Sequence, residues 1–161
     1  MTYTVSQIPA LHLALYNAAF AALSATTSVV DGPPLSWDPI VIPGRGAASE
    51  NRFLFIGTRN EDATSATAQQ TRTTMGNAST EDINVNCTAF ARGDEVSLAT
   101  TRQAAFDIVT ALGLAIHNDQ TLAGAVAQAR IASVDRLDQM QQEDGAAAAV
   151  EFTVTGRAFL R

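Results

Sequence analysis

The chain has 161 residues, a formal net charge of −6 and an apolar content of 47%, of which little is aromatic (6%). Every basic residue is arginine and none of them cluster, which argues against a nucleic-acid-binding protein, because such proteins bind by neutralising phosphates. The single cysteine, Cys87, excludes an internal disulfide, and no apolar run approaches the roughly 20 residues that cross a bilayer.

The start of the chain, MTYTVSQIPA, lacks the basic and apolar regions of a signal peptide. We therefore expect a soluble protein that is made in a cytoplasm and has no membrane partner. An amphipathic helix is predicted over residues 6–25, with Ser6 as its cap and Pro9 in its first turn. Helical spacing places these residues on one face: Ile8, Leu11, Leu15, Ala18, Ala19 and Ala22.

A stiff connector follows the helix at residues 29–39, VVDGPPLSWDP. Asp31 and Gly32 form a turn, and the adjacent prolines favour an extended backbone. Trp37 is expected to lie over an edge of the core or against a neighbouring subunit. Residues 40–42 form a short predicted strand.

Residues 52–58, RFLFIGT, predict a strand that ends at Gly57. The following segment, at about 60–80, is rich in Thr, Ala, Ser, Gln and Asn and has no useful hydrophobic period. This composition predicts a long, mobile polar loop. Loops of this length inside a compact domain are usually functional or serve as linkers.

A strand with clean alternation is predicted at residues 83–91, INVNCTAFA, with Cys87 on its apolar side as a small core residue. A second helix is predicted over 97–117, with Ser97 as its cap. Its apolar stripe consists of Ala105, Ile108, Val109, Leu112 and Ile116.

Two antiparallel strands, at 128–138 and 148–160, close the chain. The second of them carries the strongest period-two pattern in the sequence. The element order predicts one α+β domain over residues 1–161. Its sheet is mostly antiparallel, with four to five strands, and two helices lie on one face.

No catalytic, metal-binding or cofactor-binding constellation emerges from the residues. His12 and His117 lack partners at metal-ligand spacing, and the GRG at 44–46 lacks the remainder of a phosphate-binding loop. Paired carboxylates fall in predicted turns and are interpreted as surface charge: Glu61-Asp62, Glu81-Asp82, Asp94-Glu95 and Glu143-Asp144. We therefore expect no enzymatic activity and no cofactor.

Several segments, taken in order, form a joint pattern along nearly the whole chain. They are VVDGPPLSWDP after the first helix, FIGT, INVNCTAFARGDE, TTRQAAFDIVTALGLAIHND leading into QTLAGAV, and the final AAAAVEFTVTGRAFLR. This pattern resembles the tail-terminator and head–tail joining proteins of long-tailed bacteriophages, particularly those of actinobacterial hosts. Two stretches are longer than in that pattern, the one containing PGRGAASEN and the polar segment at 60–80.

The resemblance implies a small structural protein of the virion neck, assembled in the host cytoplasm. It would form a homo-oligomeric ring, typically a hexamer, on the last ring of tail-tube protein, stop tube elongation and join the head connector. DNA would pass through the lumen without specific binding, since an acidic wall repels it. Candidate residues at the subunit or tube interface are Trp37, Arg45, Arg59, Arg72 and Met75.

Two other readings remain open at this point. A head-completion, or stopper, protein of the connector is the first, because neighbouring neck proteins share small folds. A small ligand-binding α+β domain is the second, and it would require a deep pocket with converging polar groups.

Overall fold

The computed structural model describes residues 5–32, 51–58, 65–72, 79–93, 97–142 and 145–160. These ranges contain two helices and six strands, which confirms the predicted α+β class with one strand more than expected. In chain order the elements are α1 (Ile8–Leu23), β1 (Ser28–Asp31), β2 (Arg52–Ile56), β3 (Ala66–Arg72), β4 (Ser79–Gly93), α2 (Leu98–Asn118), β5 (Gln128–Gln142) and β6 (Gly145–Leu160).

The sheet is mostly antiparallel and runs in the order β1-β2-β4-β6-β5. The β1–β2 pair alone is parallel. β4 is long enough to pair with β2 through residues 87–91 and with β3 through residues 79–85. β2 and β3 therefore lie one after the other along the same side of β4, while β6 occupies its other side.

The prediction of a loop at about 60–80 is wrong for the central part of that segment, because residues 66–72 form strand β3. All but the first of these residues are exposed, so no buried face gives the segment an alternating pattern. Its conformation comes from antiparallel backbone pairing with the next strand, β4, which the composition of the segment does not report. Residues 59–64 and 73–78 lie outside the described part of the chain, as do the predicted strand at 40–42 and Trp37.

The core lies between the helices and one alternating set of strand residues. Cys87 is fully buried, as predicted, and burial raises the pKa of its thiol to about 12, so it remains a neutral packing group. Both helices contribute residues to the same cluster. The largest members of the cluster include Leu11, Leu15, Leu54, Ile56, Ile83, Ile108, Leu112, Ile116, Val150 and Phe152.

Candidate subunit interface

Apart from Asn17, helix α1 is apolar on its outer side as well as on its inner side. Leu11, Leu15, Ala19 and Leu23 are buried at helical spacing. On the outer side, Leu13 is 59% exposed and Phe20 is 51% exposed. No Asp, Glu, Lys or Arg occurs anywhere in the helix. A helix that is hydrophobic all round is normally covered on all sides, so its outer face is a candidate contact surface.

A groove of about 580 Å³ runs beside this outer face. Ala10, Leu13, Ala14 and Ala18 of α1 line one side, and Ala115 of α2 with residues 122–125 lines the other. Leu114, which precedes Ala115 in α2, is as exposed as Leu13. We call the groove together with Leu13, Phe20 and Leu114 the helix patch.

The groove wall at residues 119–125 is held in an unusual backbone conformation. Leu122 and Ala123 both have positive φ angles, of 48° and 57°, and they precede Gly124, whose φ is 83°. Asp119 holds this turn, since its carboxylate accepts hydrogen bonds from the Thr121 backbone N–H at 3.0 Å and hydroxyl at 2.7 Å, and from the Ala123 N–H at 2.7 Å. A non-glycine residue with a positive φ costs about 1–3 kcal/mol of conformational free energy. The backbone of the groove wall is therefore strained at Leu122 and Ala123.

Ionisation of Asp119 favours this turn. Hydrogen bonding from the Thr121 side chain, and then from the Ala123 N–H, lowers the pKa of the Asp119 carboxyl below its ordinary value of 3.8. Charged carboxylates make stronger hydrogen bonds than neutral ones. The wall of the groove is therefore preformed at neutral pH.

The start of α1 is anchored by a buried carboxylate. Glu81 of β4 has no exposed surface, and its Oε2 accepts a hydrogen bond of 2.6 Å from the Gln7 N–H. Gln70 of β3 donates its amide to Glu81 Oε1 at 3.3 Å and to the Val5 carbonyl at 2.7 Å. The prediction that Glu81 is surface charge is wrong, because the N-terminus of α1 lies over this part of β4 and supplies a donor.

Asp82, the other member of that pair, lies at the surface as predicted. Arg157 donates to its two oxygens, from Nε at 2.7 Å and from one terminal nitrogen at 3.2 Å. This contact lowers the pKa of the Asp82 carboxyl. The other three predicted carboxylate pairs lie outside the described residues.

The His12 side chain connects α1 to the sheet through contacts with Asp31 and Gly57. Its Nδ1 lies 3.3 Å from an Asp31 oxygen, and its ring packs against Gly57. His117 is exposed at the end of α2. Among the described residues no group of three or more histidine, cysteine or carboxylate side chains is placed to hold a metal ion.

A second exposed apolar surface lies on β5, the last strand at one edge of the sheet. Val134 is 50% exposed and Leu137 is 37% exposed, although their partners in β6, Phe152 and Val150, are fully buried. Both side chains thus lie on the core side of the sheet, at an edge that α2 contacts but covers only in part. We call Val134 and Leu137 the β5 patch.

Of the five interface residues predicted from sequence, Arg72 is the one that the structure describes, and it belongs to neither patch. Arg72 is exposed at the end of β3, opposite Ser79 in β4. Trp37, Arg45, Arg59 and Met75 lie outside the described residues. One signal for the helix patch was present in the sequence, since residues 6–25 carry no acidic or basic residue on either face of the predicted helix.

No protein-family model matches the chain, and a search of curated proteins finds no match. Within the described ranges, neither helix is both long and apolar enough to span a membrane.

Proposed function

We propose that the protein is a structural component of a bacteriophage virion, a tail terminator that assembles into a ring of six copies on the end of the tail tube. The observation that carries this proposal is the helix patch. A charge-free helix with large exposed apolar side chains, beside a preformed apolar groove, favours a protein that functions by contact with other proteins.

The order of elements supports the neck assignment. The resemblance rests on a helix, a DGP segment, an IG at the end of a strand, an alternating strand, a second helix, a D-x-TL-x-G segment and two final strands. Only the Asp31 and Gly32 of DGP lie within the described residues. Elements of the other types occupy their positions, and the D-x-TL-x-G segment is the strained wall formed by Asp119, Thr121, Leu122 and Gly124. In this proposal both helices cover one face of the sheet, and the opposite face and the edges are available to other components.

The proposed mechanism is geometric and requires no catalysis. A ring whose diameter matches the tail tube covers the growing end and removes the surface that would accept another tube subunit. The ring then presents a different surface to the head connector, and DNA passes through its lumen. The acidic composition suits such a lumen, since like charge prevents DNA from adhering.

The stopper protein of the head connector is the second candidate, because an exposed apolar helix serves assembly at either position in the neck. The ligand-binding alternative is less well supported. The groove has a volume typical of ligand sites, but among the described residues that line it the polar side chains are Asn17 and Asp119, and Asp119 is already hydrogen-bonded within its own turn. Such a lining offers no converging polar groups to orient a small molecule.

Assembly with purified tail-tube protein tests the proposal. Light scattering after size exclusion, with electron micrographs of the mixture, should reveal rings of this protein and tubes capped at one end. When the protein is added to growing tail tubes at different times, the tubes should stop at the length that they have reached at each time. Binding to the head connector with no effect on tube growth would support the stopper assignment instead, and binding to neither would refute both.

A further inference from the structure

The two apolar patches lie in different parts of the subunit and cannot cover each other within one chain. α1 packs on α2, β1, β2 and β3, toward one side of the sheet, whereas β5 forms the opposite edge. Arg102 of α2 bonds Gln139 of β5 at 3.1 Å, while Ala115 of the same helix lines the groove. Nearer the end of α2, Gly113 lies beside Ile131 of β5, yet Val134 and Leu137 on the same strand remain exposed.

The edge formed by β5 is unsuited to pairing with another strand. Its register shifts twice, between Ile131 and Ser133 and between Val134 and Arg136. Charged residues follow at Asp135, Arg136 and Asp138. Bulges and charges are the devices by which proteins keep edge strands from joining other strands, and a covering helix is another. A helix is therefore the better fit to the exposed Val134 and Leu137.

We propose that the helix patch of one subunit covers the β5 patch of the next, in a head-to-tail contact between copies of this chain. This inference rests on the proposed homo-oligomeric function and names the surfaces that form it. A helix with an exposed apolar outer face is present in every subunit as α1. Because the two surfaces differ, each subunit donates one and accepts the other, which generates a ring when the rotation closes.

Charge also favours a second copy as the occupant. Two chains of net charge −6 repel each other unless they meet through surfaces with little net charge. α1 has no Asp, Glu, Lys or Arg, and beside the β5 patch Arg136 pairs with Asp138 at 2.9 Å.

Complementation between two variants tests the head-to-tail arrangement. Leu13→Glu disrupts the helix patch and leaves the β5 patch intact, and Leu137→Glu does the reverse. Each variant alone should self-associate at least about 30-fold more weakly than the wild type. An equimolar mixture should form a one-to-one dimer and nothing larger, since one intact helix patch meets one intact β5 patch. Analytical ultracentrifugation measures all three samples.

The control is Asn84→Glu, which adds the same charge at an exposed position of β4 outside both patches and should assemble like the wild type. Circular dichroism checks folding, and Leu13→Gln with Leu137→Gln replaces any variant that fails to fold. A mixture without dimers, variants that assemble normally, or a wild-type chain that stays monomeric to about 1 mM would each overturn the inference. Rings that form but do not affect tail tubes would keep the inference and refute the terminator function.

Discussion

The Glu81 carboxylate lies at the N-terminus of α1, where its Oε2 accepts a hydrogen bond of 2.6 Å from the Gln7 N–H, 74 positions earlier in the chain. The first N–H groups of a helix have no partner within the helix, and a negative charge there also interacts favourably with the helix dipole. Ser6 supplies a further acceptor, because its hydroxyl oxygen accepts from the Ile8 N–H at 3.1 Å. A strand residue thus fixes the position of the helix that carries the candidate interface.

Replacement of Glu81 should therefore destabilise the fold. We expect Glu81→Ala to lower the free energy of unfolding by about 1–3 kcal/mol, because the Gln7 N–H and the Gln70 amide lose their buried acceptor. Asp82→Ala is the neighbouring control and should cost less than about 1 kcal/mol, since its pair with Arg157 is exposed to solvent. Urea denaturation at neutral pH measures both, and equal losses would contradict the anchoring function of Glu81.

The contact between His12 and Gly57 leads to a second stability prediction. Gly57 has a φ of 82°, and a Cβ there would overlap the His12 ring. Gly57→Ala should lower the free energy of unfolding by more than about 2 kcal/mol, because strain and overlap add. Urea denaturation measures the change in the free energy of unfolding, and thermal unfolding checks its direction.

Gly32→Ala is the matched control for that substitution. Gly32 has a similar φ of 92°, but a Cβ there would meet nothing within 4 Å, so only the conformational strain applies. The double variant His12→Ala with Gly57→Ala should recover the overlap component. If Gly32→Ala and Gly57→Ala cost the same, the close packing of His12 is not energetically significant.

Acid should loosen the groove wall through Asp119. The pKa of this carboxyl is depressed in the folded chain, so its contribution to stability is present above its ordinary value of 3.8 and is lost as pH falls through the lower, folded-state value. We expect Asp119→Asn to be less stable than the wild type at neutral pH and to lose less stability on acidification. Urea denaturation between pH 7 and pH 3 compares the two chains, and parallel curves would contradict the prediction.

Thr27 offers a substitution that should not destabilise the protein. Its hydroxyl oxygen is buried in the turn after α1 and has no hydrogen-bond partner within the described part of the chain. Thr27→Val keeps the shape of the side chain and removes the unpaired group, so the free energy of unfolding should stay unchanged or rise by about 1 kcal/mol. Leu15→Ala in the neighbouring core should instead cost about 2–5 kcal/mol. A clear loss of stability in Thr27→Val would show that the hydroxyl is paired.

The sequence predicted the elements whose buried faces repeat along the chain. The alternation of Ile83, Val85 and Cys87 identified β4, and the stripe through Ile108, Leu112 and Ile116 identified α2, since burial on one face leaves a periodic pattern. Ser97 was correctly predicted as a cap and accepts from the Thr100 N–H at 3.4 Å. These features depend on neighbours within a few residues, so local reasoning was sufficient.

Features that depend on distant partners were not predicted. β3 has almost no buried side chain and exists through its pairing with β4, and Glu81 is buried because the start of α1 lies over it. The positions of the two apolar patches on different parts of the subunit also follow from how the elements pack. The sequence by itself determined composition, charge, element type and the apolar character of α1, because these depend on residue identity and spacing. Only the tertiary structure decided which apolar side chains remain exposed, since burial depends on contacts between residues far apart in the chain.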